Sequence, residues 1–140
     1  MTTKILIAGD YCPYNRISAK IENNDFSFFE EIRDIVKSAD YSIVNFECPV
    51  ADEDATPIVK NGINLRTTRA AVEAIKFAGF NCATLANNHF RDFGDTGCST
   101  TINELTSHGI DYVGGGANLH DAQKILYKVI NNIKIGLLNV

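Results

Sequence analysis

Residues 81–89, Asn-Cys-Ala-Thr-Leu-Ala-Asn-Asn-His, change character within nine positions. Small, β-branched and apolar side chains run from Cys82 to Ala86 and then give way to two amides and an imidazole. The first part predicts a strand buried on both faces, as in a parallel sheet covered by helices. The second part predicts a polar cluster at that strand's carboxyl end, where open α/β sheets bind metals or phosphates. A plainer reading fits the same residues. Asn tolerates left-handed backbone angles, and two of them suit a strand-to-helix turn. Asn87, Asn88 and His89 by themselves are compatible with both.

The rest of the chain alternates strands and helices around this stretch. Residues 4–8 predict a first strand closed by Gly9-Asp10, and residues 11–25, with Pro13 and several Asn, predict mainly loop. Ser27 with Glu30 three residues on is a capping-box pattern. It opens a helix over 28–38 that places Phe28, Phe29, Ile32, Ile35 and Val36 mostly on one face. Residues 41–47 predict a second strand stopped by Pro49, and 49–66 an irregular excursion. A helix over 68–78 ends at Gly79, and a helix over 96–108 ends at Gly109. A short strand at 110–113, glycines 114–116, a short helix at 120–124 and strands at 125–130 and 133–140 follow. Asn131-Asn132 joins the last two as a hairpin turn. The pattern is that of an α/β fold: one domain over 1–140, a mostly parallel sheet with helices on its faces, ending in a β-hairpin.

A chain of 140 residues, 45% of them hydrophobic, is long enough for a real core. A net charge of −4 with scattered Lys and Arg argues against nucleic-acid binding, which requires basic stripes to neutralise phosphates. No apolar run reaches the length of a membrane span or a signal-peptide core. A cytoplasmic protein is expected on that ground. The four cysteines show no C-x-x-C spacing, so free buried thiols are the default.

Asp10, Glu47 and Asn88 each follow a predicted parallel strand, about one βαβ unit apart. If the strands are neighbours, two carboxylates and an amide oxygen meet in one crevice. This hard donor set suits Mg²⁺, Mn²⁺ or another divalent ion. One or two such ions activate water and stabilise the oxygens of a phosphoryl transfer. His89, next to Asn88, is then placed to protonate a leaving group. Each residue also has a bland role: a turn cap for Asp10, a solvated strand end for Glu47, a packed ring for His89.

Gly9-Asp10, Asn45-Phe46-Glu47 and Ala86-Asn87-Asn88-His89, followed by Asp92-Phe93-Gly94, resemble the bacterial capsule-synthesis CapA proteins. These form the poly-γ-glutamate biosynthesis group, related to the calcineurin-like metallophosphoesterases. Lys60 and Gly62, Gly79-Phe80, His108-Gly109-Ile110, the segment 114–119 and Lys134-Ile135-Gly136 extend the resemblance over essentially the whole chain. It implies a layered α/β sandwich whose metal positions match Asp10, Glu47 and Asn88, with His89 at the catalytic His of the phosphoesterase Asn-His motif. The implied activity is that of a metal-dependent hydrolase or transferase of capsule or exopolymer biosynthesis. The implied cofactor is Mn, Mg, Fe or Zn, as one ion or a pair. The implied substrate is an anionic polymer or phosphoester, and other capsule-synthesis proteins are the implied partners, which would bring the protein to the membrane periphery. The alternative is a non-catalytic component of a polymer-assembly complex that keeps the fold.

Two departures from the family pattern stand out. The phosphoesterases carry Asp-x-His where this chain has Asp10-Tyr11-Cys12, so Cys12 is either a further sulfur ligand or, more commonly, a small buried thiol. The family domain is also much longer, with further His ligand motifs in its second half. His108 and His120 do not match them, and the chain is expected to be an amino-terminal half, inactive alone. Asn87, Lys60 and Arg66 are candidate substrate contacts, although loop cations are more often simply solvated. The glycine run lacks the spacing of a phosphate-binding loop, and a tight-turn role is expected for it.

Overall fold

The computed structural model describes residues 2–140. Four strands, β1 (Ile5–Tyr11), β2 (Tyr41–Phe46), β3 (Cys82–Thr84) and β4 (Asp111–Val113), form a parallel sheet in the order β1-β2-β3-β4. Helices α1 (Arg16–Glu22), α2 (Glu30–Lys37), α3 (Ala70–Ala78), α4 (Gly94–Ser107) and α5 (Leu119–Ala122) lie between or after the strands. Strands β5 (Leu126–Ile130) and β6 (Ile133–Leu137) make the antiparallel hairpin. Its two turn residues, Asn131 and Asn132, both take left-handed angles (φ 50° and 65°), as a type I′ turn requires. This is the α/β fold expected from the alternation.

The two faces of the sheet are covered differently. Val44, Phe46, Ala83 and Leu85 pack with Tyr11, Phe29 and the buried side of α3 (Ala71, Val72, Ala74, Ile75 and Ala78) into the larger core. On the opposite face Tyr41, Ile43, Cys82 and Val113 meet Leu126, Ile130 and Leu137 of the hairpin. Asp111 clamps this contact. It accepts a 2.7 Å hydrogen bond from the Tyr41 hydroxyl and pairs with Lys128 at 2.7 Å.

Three local expectations are corrected. The loop over 11–25 contains α1, whose Ile17 and Ile21 stand four apart and face the core. With one apolar pair in seven residues the helical period is too short to see. Ser27 does not cap a helix: it opens a 3₁₀ turn, Ser27–Phe29, without a side-chain cap, and its amide donates to Asp25 instead. Finally, Ile32 and Ile35 are 42% and 61% exposed. The helix turns Phe29, Arg33 and Val36 inward, because the Arg33 guanidinium stacks over Phe77 at 4.2 Å and donates to the Phe77 carbonyl.

Candidate functional site

The register between β1 and β2 slips by one residue: Ile7 lies opposite Ile43, but Asp10 lies opposite Asn45. An extra residue in one strand turns every following side chain to the other face. Here it brings Asp10 level with Asn45, which in turn pairs with Thr84 of β3. The result is a polar row across three strand ends. Asn45 donates to Asp10 Oδ1 at 2.7 Å and accepts from the Thr84 hydroxyl at 3.1 Å. Glu47 follows on the same strand. Register pairing of Tyr11 with Phe46 keeps the carboxyl ends of β1 and β2 side by side, and the Cys12 thiol lies in the field of both Glu47 and Asp10. Burial pushes that thiol up, its contact with Cys48 opposes the rise, and the two carboxylates add to it. Cys48 is pushed up as well, by burial first and then by Cys12.

Asn87 builds the turn after β3. Its Oδ1 accepts from the backbone amides of His89 (3.0 Å) and Phe90 (2.9 Å). Its Nδ2 donates to Asn45 Oδ1 (3.3 Å) and the Phe46 carbonyl (3.2 Å). Both ends of the amide are thus committed to the protein, which assigns Asn87 to shaping the turn and leaves it no donor for a substrate. Asn88 is exposed, and among the described residues its side chain makes no hydrogen bond.

Asp92 is the hub of the site, and its side chain is fully buried. Its Oδ2 accepts from the Leu65 amide at 2.7 Å and faces His89 Nδ1 at 2.7 Å, while Oδ1 pairs with Lys60. Its carbonyl also accepts from the Ile58 amide at 2.8 Å. Burial alone would raise this carboxyl. The hydrogen bonds from Lys60, His89 and Leu65 outweigh it and hold Asp92 below the usual carboxylate range. Lys60 Nζ also lies 3.3 Å from His89 Nδ1. An ammonium only donates and a carboxylate only accepts, so the two compete for that ring nitrogen. The shorter, ionised contact with Asp92 assigns the proton to Nδ1, and among the described residues Nε2 has no partner.

The excursion is thereby tied down over the site. Its ends are zipped by Val50 and Thr67, and its middle is held by Asp92. Lys60, for which solvation was the commoner expectation, is instead four-fifths covered by this pairing. Arg66 is elsewhere: it donates to the Asp52 carbonyl at 2.8 Å and remains exposed. Asp92, Asn45 and Cys48 received no role from the sequence. Asn45 stands two residues before Glu47, hence on the same face of the strand, a spacing that points to it. The roles of Asp92 and Cys48 rest on contacts distant in sequence and leave no such trace.

Among the described residues no group of three or more His, Cys, Asp or Glu side chains stands ready to hold a metal ion. Asp10 and Glu47 are hard oxygen donors and Asn88 offers a free amide oxygen. Oxygen donors of this kind are what a hard divalent ion takes. The glycine run is explained by packing. A Cβ on Gly114 would lie 2.3 Å from Asn139 Oδ1, and one on Gly116 would lie 2.7 Å from the Ala122 amide nitrogen. Among the described residues no helix is long and apolar enough to cross a membrane.

The family model described as bacterial capsule synthesis protein PGA_cap matches residues 4–140. A curated relative, the capsule biosynthesis protein CapA of Bacillus anthracis, is 37% identical over 112 residues, which cover 79% of this chain and 27% of the relative. The PGA biosynthesis protein CapA of Bacillus subtilis (strain 168) is 34% identical over 113 residues, 80% of this chain and 30% of the relative. The chain therefore spans less than a third of the length of these relatives. The match along nearly the whole chain, with the Asp10, Glu47 and Asn87-Asn88-His89 strand ends inside it, shows that the chain belongs to the bacterial PGA_cap capsule synthesis family.

Proposed function

We propose that this chain carries the divalent-metal and proton-transfer residues of a hydrolase or transferase in capsule biosynthesis. The observation that supports the reading best is His89. Its Nδ1 is held by a buried carboxylate, and among the described residues Nε2 has no partner; the Asn87 amide links the same turn to Asn45, which in turn holds Asp10. A carboxylate behind a histidine fixes the tautomer and stabilises the ring when it takes up a proton. Packing alone does not require this pairing, because a neutral ring in a core needs no ionised partner.

Asp10, Glu47 and Asn88 would hold the ion (Mn, Mg, Fe or Zn, singly or as a pair), with Cys12 as a further sulfur donor. When bound, the ion would supply Lewis-acid polarisation of the group under attack. His89 Nε2 would pass a proton to the departing oxygen or nitrogen. Asp92 would keep the ring oriented, and Lys60 would hold Asp92 ionised. The printed names of the relatives, capsule biosynthesis and PGA biosynthesis, point to an anionic polymer or its phosphoester precursor as substrate. Other capsule-synthesis proteins at the cytoplasmic membrane surface are the proposed partners.

The test is turnover of aryl phosphoesters and γ-glutamyl peptides by the Mn²⁺-loaded protein. Wild type is expected to turn over one of the two classes, and His89→Ala to lose at least about 100-fold in kcat while retaining its metal. Equal turnover by His89→Ala would remove the histidine from the chemistry, and no turnover of either class would remove the proposed reaction.

A further inference from the structure

Cys12 and Cys48 lie just beyond β1 and β2, two residues past Asp10 and one past Glu47. Both are free thiols, and their Sγ atoms are 2.6 Å apart, well inside van der Waals contact. The backbone fixes this approach. Tyr11 and Phe46 are register partners, and the Glu47 amide donates to the Tyr11 carbonyl at 3.1 Å. Each cysteine is followed by a buried proline, Pro13 or Pro49. Proline disfavours helical angles in the residue before it, so both cysteines are restricted before they meet. Cys82 and Cys98 are placed differently: one lies beneath the hairpin, and the other, on α4, donates to the Phe90 carbonyl.

We propose that Cys12 and Cys48 form a reversible thiol–disulfide pair, oxidised by low-molecular-weight disulfides, that closes beside Asp10 and Glu47. Cys12, the less buried thiol, attacks one sulfur of a small disulfide RSSR. A Cys12–S–S–R bond forms, the S–S bond of RSSR breaks, and RSH leaves with the proton that Cys12 gave up. Cys48 then attacks the Cys12 sulfur, forms the intramolecular bond and releases the second RSH. Two protein thiols are oxidised by two electrons, and one small disulfide is reduced to two thiols. The state of the pair decides whether a free sulfur donor stands beside Asp10 and Glu47. It does not depend on a metal or on hydrolase activity.

The experiment is a thiol count on the folded, fully reduced chain equilibrated with glutathione buffers of rising oxidised fraction. Samples are quenched in acid, denatured, titrated and mapped by non-reducing peptide mass spectrometry. The count is expected to fall from four to two, with a single bridge between the Cys12 and Cys48 peptides and full recovery in dithiothreitol. Cys48→Ser should trap one glutathionyl group on Cys12, whereas Cys12→Ser should keep all its thiols. Four free thiols in wild type at every buffer ratio would overturn the proposal. So would a bridge that includes Cys82 or Cys98, or a glutathionyl adduct on wild-type Cys12 that never resolves to a bridge. The wild-type count and map decide, whether or not the variants fold.

Discussion

After β3 the polar atoms of Asn87 and Asp92 are engaged, whereas those of Asp10 and Glu47 at the ends of β1 and β2 are largely open. Asn87 makes four hydrogen bonds with its one amide, and each carboxylate oxygen of the fully buried Asp92 meets a cation, a backbone amide or the His89 ring. Asp10 commits one oxygen to Asn45, and Glu47 stands beside the Cys12 thiol with part of its surface in solvent. The same residue types thus serve two purposes. The closed cluster holds a turn, an excursion and an imidazole in fixed relation. The open cluster keeps oxygen lone pairs available. A site needs both, since donors free to bind a ligand cannot also hold the scaffold in place.

This division predicts a ranking of mutational effects. Asp92→Ala should have the largest, about 3–5 kcal/mol of lost stability, because Lys60, His89 and the Leu65 amide all lose their partner in a buried place. Urea unfolding followed by circular dichroism measures it, and a loss below about 1 kcal/mol would mean that the closed cluster is not closed in solution. Asn87→Ala should follow at about 2–3 kcal/mol, since it strands two backbone amides at the head of the turn.

A pH series sharpens the same contrast. The native pKa of Asp92 lies below its unfolded value of 3.8, so its contribution is complete well above that value and disappears as pH falls through the lowered native one. Wild type should therefore lose its advantage over Asp92→Asn on acidification below about pH 4. An advantage that persists unchanged into strong acid would contradict the assignment. The smallest effect on stability is expected at the open cluster: Asp10→Ala should shift unfolding by no more than about 0.5 kcal/mol.

The strands and most helices were legible because their signals are local. Strand 41–46 is rich in β-branched and aromatic residues and is followed by Glu47 and Pro49, Gly79 stops α3 with a left-handed cap at φ 99°, and Asn131-Asn132 announces a hairpin. Asp10 and Glu47 were legible as strand-end carboxylates by the same logic. What was not legible depends on contacts distant in sequence. The partner of Asp92 is Lys60, across an excursion whose composition suggests only loop. The bulge that aims Asp10 leaves no mark beyond Gly9. The inward face of α2 was misjudged because Arg33, a charged residue, takes the packed position over Phe77 while two isoleucines stay outside. Periodicity counts apolar residues and does not register a guanidinium that packs flat on a ring.

The central claim is that the open strand ends bind a divalent ion and the closed cluster does not. It is tested most directly by loading the purified chain with Mn²⁺, desalting it, and measuring retained metal by inductively coupled plasma mass spectrometry. Wild type should retain Mn²⁺, Asp10→Ala and Glu47→Ala should each lose it while remaining folded, and Lys60→Met should keep it. Equal metal in wild type and both carboxylate variants, or none in wild type, would contradict the account.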